Sequence, residues 1–449
     1  MKQRYVMLLL LLLLAGPVSL AACSPGHLGS NVIAFIRDGQ LWTIDPNGAN
    51  AFEVVAQGPP VVGYSWSPTH QLLTFRALDA DFAKTPAASH LNSQPVTGQI
   101  GDVASTANTI GVDGGTPITI AFSSPSVYYS NPIWNSTGNR LLYRETPRSP
   151  LANPASITWW ISQNDQPGGI AIKSLPGSYS IPSLSYISQY YMAIGNSSKG
   201  VFTTTLAGTN LRYLVHDPLP GHPLPATLER ILWQPAHQDT SFLYAVPATA
   251  HDSTNISSHT VQLLLGTLDG HITTLATCAC TQFAWSPDGN YILYSTGSTY
   301  TLLNPRDKTS FSLTEENSSV PYWSPDSHFL LLDGFHTLVL VNVAAKQQKV
   351  LLSNDNTTVS KPAPTTLPAV NALLQPVPNS LWAADSRHFL FLTRDRLSWQ
   401  GQRLRNGKAL YTVAIDSSGR PQGTPAIADT GNDTQVGWTY EDANTSFLY

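Results

Sequence analysis

The chain has 449 residues, 42% of them hydrophobic but only 12% charged, and a formal net charge of -4. Ordinary globular chains carry about 25% charged residues, so the polarity here comes from Ser, Thr, Asn and Gln. A mild negative balance without a clustered basic face excludes a nucleic-acid partner.

Lys2 and Arg4 precede a leucine-rich apolar run, Val6 to Ala15. That run is shorter than the ~20 residues of a bilayer span and has the order of an export signal. Small residues then lead to Leu20-Ala21-Ala22-Cys23. This tetrapeptide resembles the lipobox of bacterial lipoproteins. The resemblance implies cleavage before Cys23 and a diacylglyceryl thioether on its sulfur. It also implies two or three acyl chains, where one alone would hold a protein only marginally. An ordinary cleaved signal with an incidental cysteine, or an uncleaved anchor, is the alternative, and the four matching positions favour lipid. The expected organisation is a signal peptide over 1–22, a lipidated tether over 23–30 and one domain over 31–449. The expected place is the extracytoplasmic face of the cell membrane. Ser24 stands where lipoproteins retained at the inner membrane often have Asp, so an outer membrane, in an organism that has one, is also open.

Beyond the tether a pattern recurs: a tryptophan, a polar turn, then an apolar triplet. Trp66-Ser67-Pro68 runs into Leu72-Leu73, and Trp134-Asn135-Ser136-Thr137-Gly138 into Leu141-Leu142-Tyr143. Tyr186, ahead of Tyr190-Tyr191-Met192, is a degenerate copy, and Trp233 and Trp438 begin a longer variant reaching Phe242 and Phe447. The clearest copies are Trp285-Ser286-Pro287-Asp288-Gly289 into Ile292-Leu293-Tyr294 and Trp323-Ser324-Pro325-Asp326-Ser327 into Leu330-Leu331-Leu332. Trp382 leads through Asp385-Ser386 into Phe389-Leu390-Phe391. Ser-Pro-Asp-Gly suits a tight turn, because Pro presets φ, Asp bonds nearby backbone and Gly accepts a positive φ. The flanking runs have strand length and strand composition.

One full unit reads Phe283 to Trp285, Tyr291 to Tyr294, Thr299 to Leu303 and Ser310 to Leu313. That predicts four antiparallel strands per repeat, hence an all-β β-propeller of four-stranded blades. Trp spacing from 38 to 68 residues is met by insertions. The stretch from Asp79 to Thr116, rich in Ala, Ser, Thr, Asn and Gly, is expected to be a mobile loop; Ser360 to Asn379, rich in Pro, is expected to be extended. The N-terminal strands Val32–Phe35, Gln40–Ile44 and Phe52–Val55 lack a Trp strand before them, while Gln435 to Tyr449 begins with one. Sharing one blade between the two ends would close the ring without a free edge. The expected count is then eight blades, or seven if one degenerate unit is not a blade.

The copies at Trp285 and Trp323, with Gly39-Gln40-Leu41-Trp42-Thr43-Ile44-Asp45-Pro46-Asn47-Gly48, resemble the TolB-like β-propeller repeat family. The resemblance covers most of residues 31–449 and is loosest between Asp79 and Tyr186. It implies structural roles for the motif residues: Trp66, Trp134, Trp233, Trp285, Trp323, Trp382 and Trp438 packing between blades, and Asp288, Asp326 and Asp385 bonding turn backbone.

Chemistry has few candidates. Cys278 and Cys280 in an exported chain should be bonded to each other or buried as free thiols. His216, Asp217 and His222 form the densest polar cluster and are read as exposed loop residues rather than a metal site. No HExxH, EF-hand, phosphate-loop or Gly-x-Ser-x-Gly pattern occurs, and neither metal nor cofactor is expected. The expectation is a non-catalytic, lipid-anchored binding or scaffold protein of the cell envelope that engages an envelope protein or peptide. The alternative is a propeller enzyme, a hydrolase, lactonase or dehydrogenase acting on carbohydrate or lactone, with its site at the channel mouth. Trp159, Trp160 and Trp399 lie outside the repeat and would serve a carbohydrate-binding module if exposed, although core packing is favoured.

Overall fold

The computed structural model describes residues 31–439 apart from 57, 85–103, 125, 136, 148–157, 177–182, 185–189, 195–200, 206–209, 216–227, 229–230, 236–240, 249–259, 297–298, 314–318, 355–373, 375–378 and 395–396. Cys23, Tyr186, His216, Asp217, His222 and Phe447 therefore lie outside the described residues.

The chain is a β-propeller, and its described strands form eight sheets. Sheet 1 holds Val61–Trp66, Leu72–Leu78, Ser105–Gly111 and Gly114–Ala121. Sheet 2 holds Ile133–Trp134, Arg140–Pro147, Thr158–Gln163 and Ile170–Pro176, with Val127–Tyr129 added on Arg140–Pro147. Sheet 3 holds Ser183–Leu184, Tyr190–Ile194, Val201–Thr205 and Arg212–Val215, and sheet 4 holds Ile231–Trp233, Ser241–Pro247, Val261–Thr267 and Ile272–Cys278. Sheet 5 is Cys280–Trp285, Ile292–Thr296, Thr299–Leu303 and Ser310–Leu313. Sheet 6 is Val320–Trp323, Phe329–Asp333, Leu338–Asn342 and Gln347–Asn354, extended by the hairpin Leu397–Trp399 and Gln402–Arg403. Sheet 7 has three strands, His388–Thr393, Ala409–Ala414 and Ala426–Asp429, with Trp382 joined to Phe389 by an isolated bridge where a first strand would run. Sheet 8 joins the chain's two ends: Thr434–Trp438, then Ile33–Arg37, Gln40–Ile44 and Phe52–Glu53. Seven sheets thus have at least four strands, and sheet 7 is the reduced one.

Ring closure rests on the pairing of Ile33 with Trp438, Ala34 with Gly437 and Ile36 with Thr434. Alternate side chains of this strand serve two interfaces, as strand geometry requires. Ile33 and Phe35 pack in a core with Trp382, Phe389 and Trp438, while Val32, Ala34 and Ile36 pack with Tyr64, Trp66 and Phe75 of sheet 1. First strands of neighbouring sheets adjoin one another. Gly437 runs so close to Asn379 that a Cβ would collide with it, and the Tyr64 hydroxyl lies beside the same spot. That hydroxyl sits 2.7 Å from the Ala34 carbonyl and 2.6 Å from the Gln435 carbonyl.

Trp66, Trp233, Trp285, Trp323, Trp382 and Trp438 are all fully buried, and Trp134 is nearly so. They bridge sheets. Trp382 stacks on Phe329 of sheet 6 at 6.1 Å and meets Phe389 of its own sheet edge-on at 5.4 Å. Its Nε1 donates to the Tyr322 carbonyl at 2.9 Å, as Trp285 Nε1 does to Leu232 at 3.1 Å. Asp288 Oδ1 accepts from Asn290 N, Asp326 Oδ1 from His328 N and Asp385 Oδ1 from Arg387 N.

The turn after each Trp has a shared detail. Its fourth residue is left-handed in five copies: His70 (φ 59), Gly138 (φ 68), Gly289 (φ 68), Ser327 (φ 59) and Ser386 (φ 57). In each copy that residue meets the turn of the preceding sheet. His70 bonds to the Thr439 carbonyl, and Gly138 abuts Pro68 and Thr69. Gly289 accepts from Gln234 Nε2 at 2.7 Å. Ser327 Oγ accepts from Asp288 N, and Ser386 Oγ from Asp326 N, both at 2.9 Å. The left-handed conformation costs a non-Gly residue roughly 1–2 kcal/mol, and a buried hydrogen bond returns about 1 kcal/mol, so serine is tolerated because its hydroxyl stitches two sheets.

One sequence expectation needs correcting. The stretch from Asp79 to Thr116 is not one loop, because Ser105–Gly111 and the start of Gly114–Ala121 are the third and fourth strands of sheet 1. Their composition is polar, but Ala107 and Ile110 are buried and Asn108 bonds Thr106 and Thr119. In the stretch from Ser360 to Asn379, the described Leu374 is buried and bridged to Thr393. Trp159 and Trp399 are buried, Trp399 stacking on Phe391, and Trp160 is half-buried.

Ser327→Ala removes the stitch and keeps the backbone cost, so it should lower unfolding free energy by about 1 kcal/mol. Ser327→Gly should cost less, because glycine relieves the left-handed conformation. Chemical denaturation of the two variants checks the order; equal losses would contradict it.

Candidate functional site

Neighbouring strands alternate in direction, so first-to-second and third-to-fourth connections fall at one end of the ring. Second-to-third connections and links between sheets fall at the other. The first end is a turn face: its longest connection is 415–425. The other end is a loop face. The strands that bound residues 79–104, 216–230, 248–260, 355–381 and 394–408 end and begin there, and each of these stretches is longer in sequence than any connection of the turn face. Every long insertion therefore leaves and re-enters the sheets at one end.

On the turn face a cavity of about 360 Å³ opens between sheets 5 and 6, lined among others by Asp288, Asn290, Arg306, Asp326 and His328. Its carboxylates are occupied. Asp288 accepts from Ser286 Oγ at 2.6 Å and from Asn290 Nδ2 at 2.7 Å. Asp326 accepts from Ser324 Oγ at 2.7 Å and pairs with His328 Nδ1 at 2.8 Å, with Arg387 3.6 Å away. Burial would raise Asp326, but the bonds from His328 and Ser324 hold it below the usual carboxylate range. These groups hold their own turns and are poorly placed to receive a ligand.

On the loop face the described residues form a charged cluster at the ring closure. Arg37 ends the second strand of sheet 8. Its Nε and Nη2 donate to Asp433 Oδ1 at 2.9 and 2.7 Å, and Nη2 donates to Asp429 Oδ2 at 2.6 Å. The guanidinium carbon lies 4.8 Å from the Phe35 ring centre and 5.6 Å from that of Trp42, a cation–π arrangement. Gly431 lets the backbone approach, since a Cβ there would collide with the guanidinium. Lys408 Nζ donates to Asn432 Oδ1 at 3.1 Å beside it. The Asp433 side chain is 1% exposed, and its Oδ2 is buried without a hydrogen-bond partner. Burial pushes its pKa up to about 6 despite the Arg37 bonds. Asp429 is less buried; burial would raise it, but the bond and charge of Arg37 together with backbone N–H bonds from Gly431 and Thr430 hold it low.

Cys278 and Cys280 are joined as a disulfide at the one-residue link from sheet 4 to sheet 5. Among the described residues no three His, Cys, Asp or Glu are grouped to hold a metal, and no helix is long and apolar enough to cross a membrane. The Arg37–Asp429–Asp433 cluster was not read from the sequence. Its only signal is indirect: pairing the terminal strands brings the residues flanking them, Arg37 and Asp433, to one end.

No protein-family model matches the chain, and neither does any curated protein. Solved structures do. A eukaryotic initiation factor is 12% identical, covering 92% of this chain and 99% of its own, with a TM-score of 0.48. An oligogalacturonate lyase from Vibrio parahaemolyticus is 10% identical over 68% of this chain and 88% of its own, at 0.44. An uncharacterised protein from Listeria monocytogenes EGD-e is 11% identical over 73% and 92%, at 0.43. These likenesses carry no statement about activity.

The cluster sets a pH dependence. The folded pKa of Asp433, about 6, lies above the ordinary 3.8, so its proton binds the folded state more tightly. The stability this confers is complete below the ordinary value and is lost as pH rises through about 6. His388, raised first by its bond to Asp385, acts in the same direction. Melting temperature should therefore rise as pH falls from about 8 to about 5. Asp433→Asn, which resembles the protonated form, should flatten part of that rise and melt higher than the unmodified protein at the alkaline end. A lower melting point there would mean that the charged pair is net stabilising.

Proposed function

We propose that the chain is a non-catalytic, lipid-anchored binding or scaffold protein of the cell envelope. Cys23 carries the acyl chains, the TolB-like repeats build the ring, and the loop face engages an envelope protein or peptide. The observation that supports this most is the division of the ring's ends. At one end the longest connection is 415–425 and several described turns bond from sheet to sheet, while every longer connection leaves from the other. A frame of packed sheets with its long connections at one end is an arrangement suited to recognition.

Two measurements test it. Palmitate should label the full chain in its own cells, and Cys23→Ala should abolish the label. A photo-crosslinking residue at Thr299 on the loop face should capture one defined envelope partner, and the same residue at Ser417 on the turn face should not. Capture at neither position, together with turnover in a sugar-lactone or glycan screen, would replace the scaffold reading with the enzyme one.

A further inference from the structure

The ring has a fixed polarity relative to the chain's entry. In sheet 8 the first strand ends at Trp438 and the second begins at Ile33, and these two residues are paired. Ile33 therefore lies at the turn face, the end where first and second strands meet. Asn31 is held there as well: Trp438 Nε1 donates to Asn31 Oδ1 at 2.6 Å. The chain then runs away from this end through Ile33–Arg37, to the charged cluster on the loop face.

Ser24 to Asn31 are the only residues between Cys23 and Val32. Eight residues span at most about 26–29 Å when fully extended. A five-residue strand adds about 17 Å of depth between the two faces, so the loop face stands beyond the turn face as seen from the tether. A second observation concerns apolar exposure. Ile170 (65% exposed), Leu211 (43%) and Ile272 (46%) all sit where the fourth strand begins, at the turn face, in the consecutive sheets 2, 3 and 4. Of the other exposed large apolar side chains among the described residues, Phe122 lies at the loop-face end, and Val350 and Ile427 lie within strands. The turn face thus combines the tether's attachment with an apolar rim across several sheets, a pairing that suits a lipid interface.

We propose that the propeller sits on its membrane with the turn face toward the lipid headgroups and the loop face directed away from them. This rests on acylation of Cys23. The membrane then covers the short turns and the cavity between sheets 5 and 6, and the loop face is the end turned to a macromolecular partner. Acidic turn residues such as Asp165 and Asp269 beside the apolar rim keep the face at headgroup depth rather than within the hydrocarbon.

The test uses the full-length lipidated protein in phosphatidylcholine vesicles containing a rhodamine-labelled lipid. A donor dye is attached through single cysteines at Gln166→Cys and Ser417→Cys on the turn face, and at Asp38→Cys and Thr299→Cys on the loop face. All four positions are exposed. Energy transfer to the lipid should be several-fold stronger from both turn-face positions than from both loop-face positions. Flotation of the protein with the vesicles and its palmitate content are measured on the same samples. Acylated, floating protein with equal or stronger transfer from the loop-face positions would overturn the orientation and leave the anchor standing. Protein that neither carries palmitate nor floats would overturn the anchor and the orientation with it.

Discussion

A ring of sheets packed face to face buries both faces of every sheet, so the first and last sheets cannot be left with a bare side. The strand Ile33–Arg37 meets that constraint. It hydrogen-bonds to Thr434–Trp438 from the far end of the chain and sends alternate side chains into two different cores. Each fully buried Ile or Phe contributes roughly 1.5–3 kcal/mol relative to exposure. A handful of such residues therefore rivals the net stability of a typical domain, about 5–15 kcal/mol. The other sheets take their positions from this closure, because a gap at one interface would expose the apolar faces on both of its sides.

The same constraint explains why the two ends of the ring differ. Short turns can be bonded from sheet to sheet, and the left-handed fourth residue repeats that contact at His70, Gly138, Gly289, Ser327 and Ser386. Among the described residues the opposite end shows no such repeat. There the charged residues cluster at the closure, where Arg37 holds Asp429 and Asp433 between the chain's two ends. Insertions are accommodated at that end because they leave the turn-to-turn bonds untouched.

Legibility in the sequence followed the strength of local signals. The unit from Phe283 to Leu313 was readable nearly strand for strand, since Pro, Asp and Gly mark its turn and aromatic residues mark its strands. The shared blade was also legible, because three strands lacking a Trp strand at one end complement a Trp strand at the other. Ser105–Gly111 was missed because Ser, Thr and Asn fill a strand whose polar side chains bond one another, and composition alone reads that as loop. The hairpin at Leu397–Arg403 was missed for another reason: it pairs with Gln347–Asn354, a strand of a different repeat. The charged cluster depends on residues 392 and 396 positions apart, beyond any local pattern.

Native-state hydrogen exchange of the full chain tests the closure most directly. If the terminal strands close the ring, the hydrogen-bonded amides of Ile33–Arg37 and Thr434–Trp438 should be protected as strongly as those of Phe329–Asp333 within sheet 6, and should open with them near the global limit. Exchange of the two terminal strands as fast as the exposed turn at Asn47–Asn50, with sheet 6 still protected, would contradict the account.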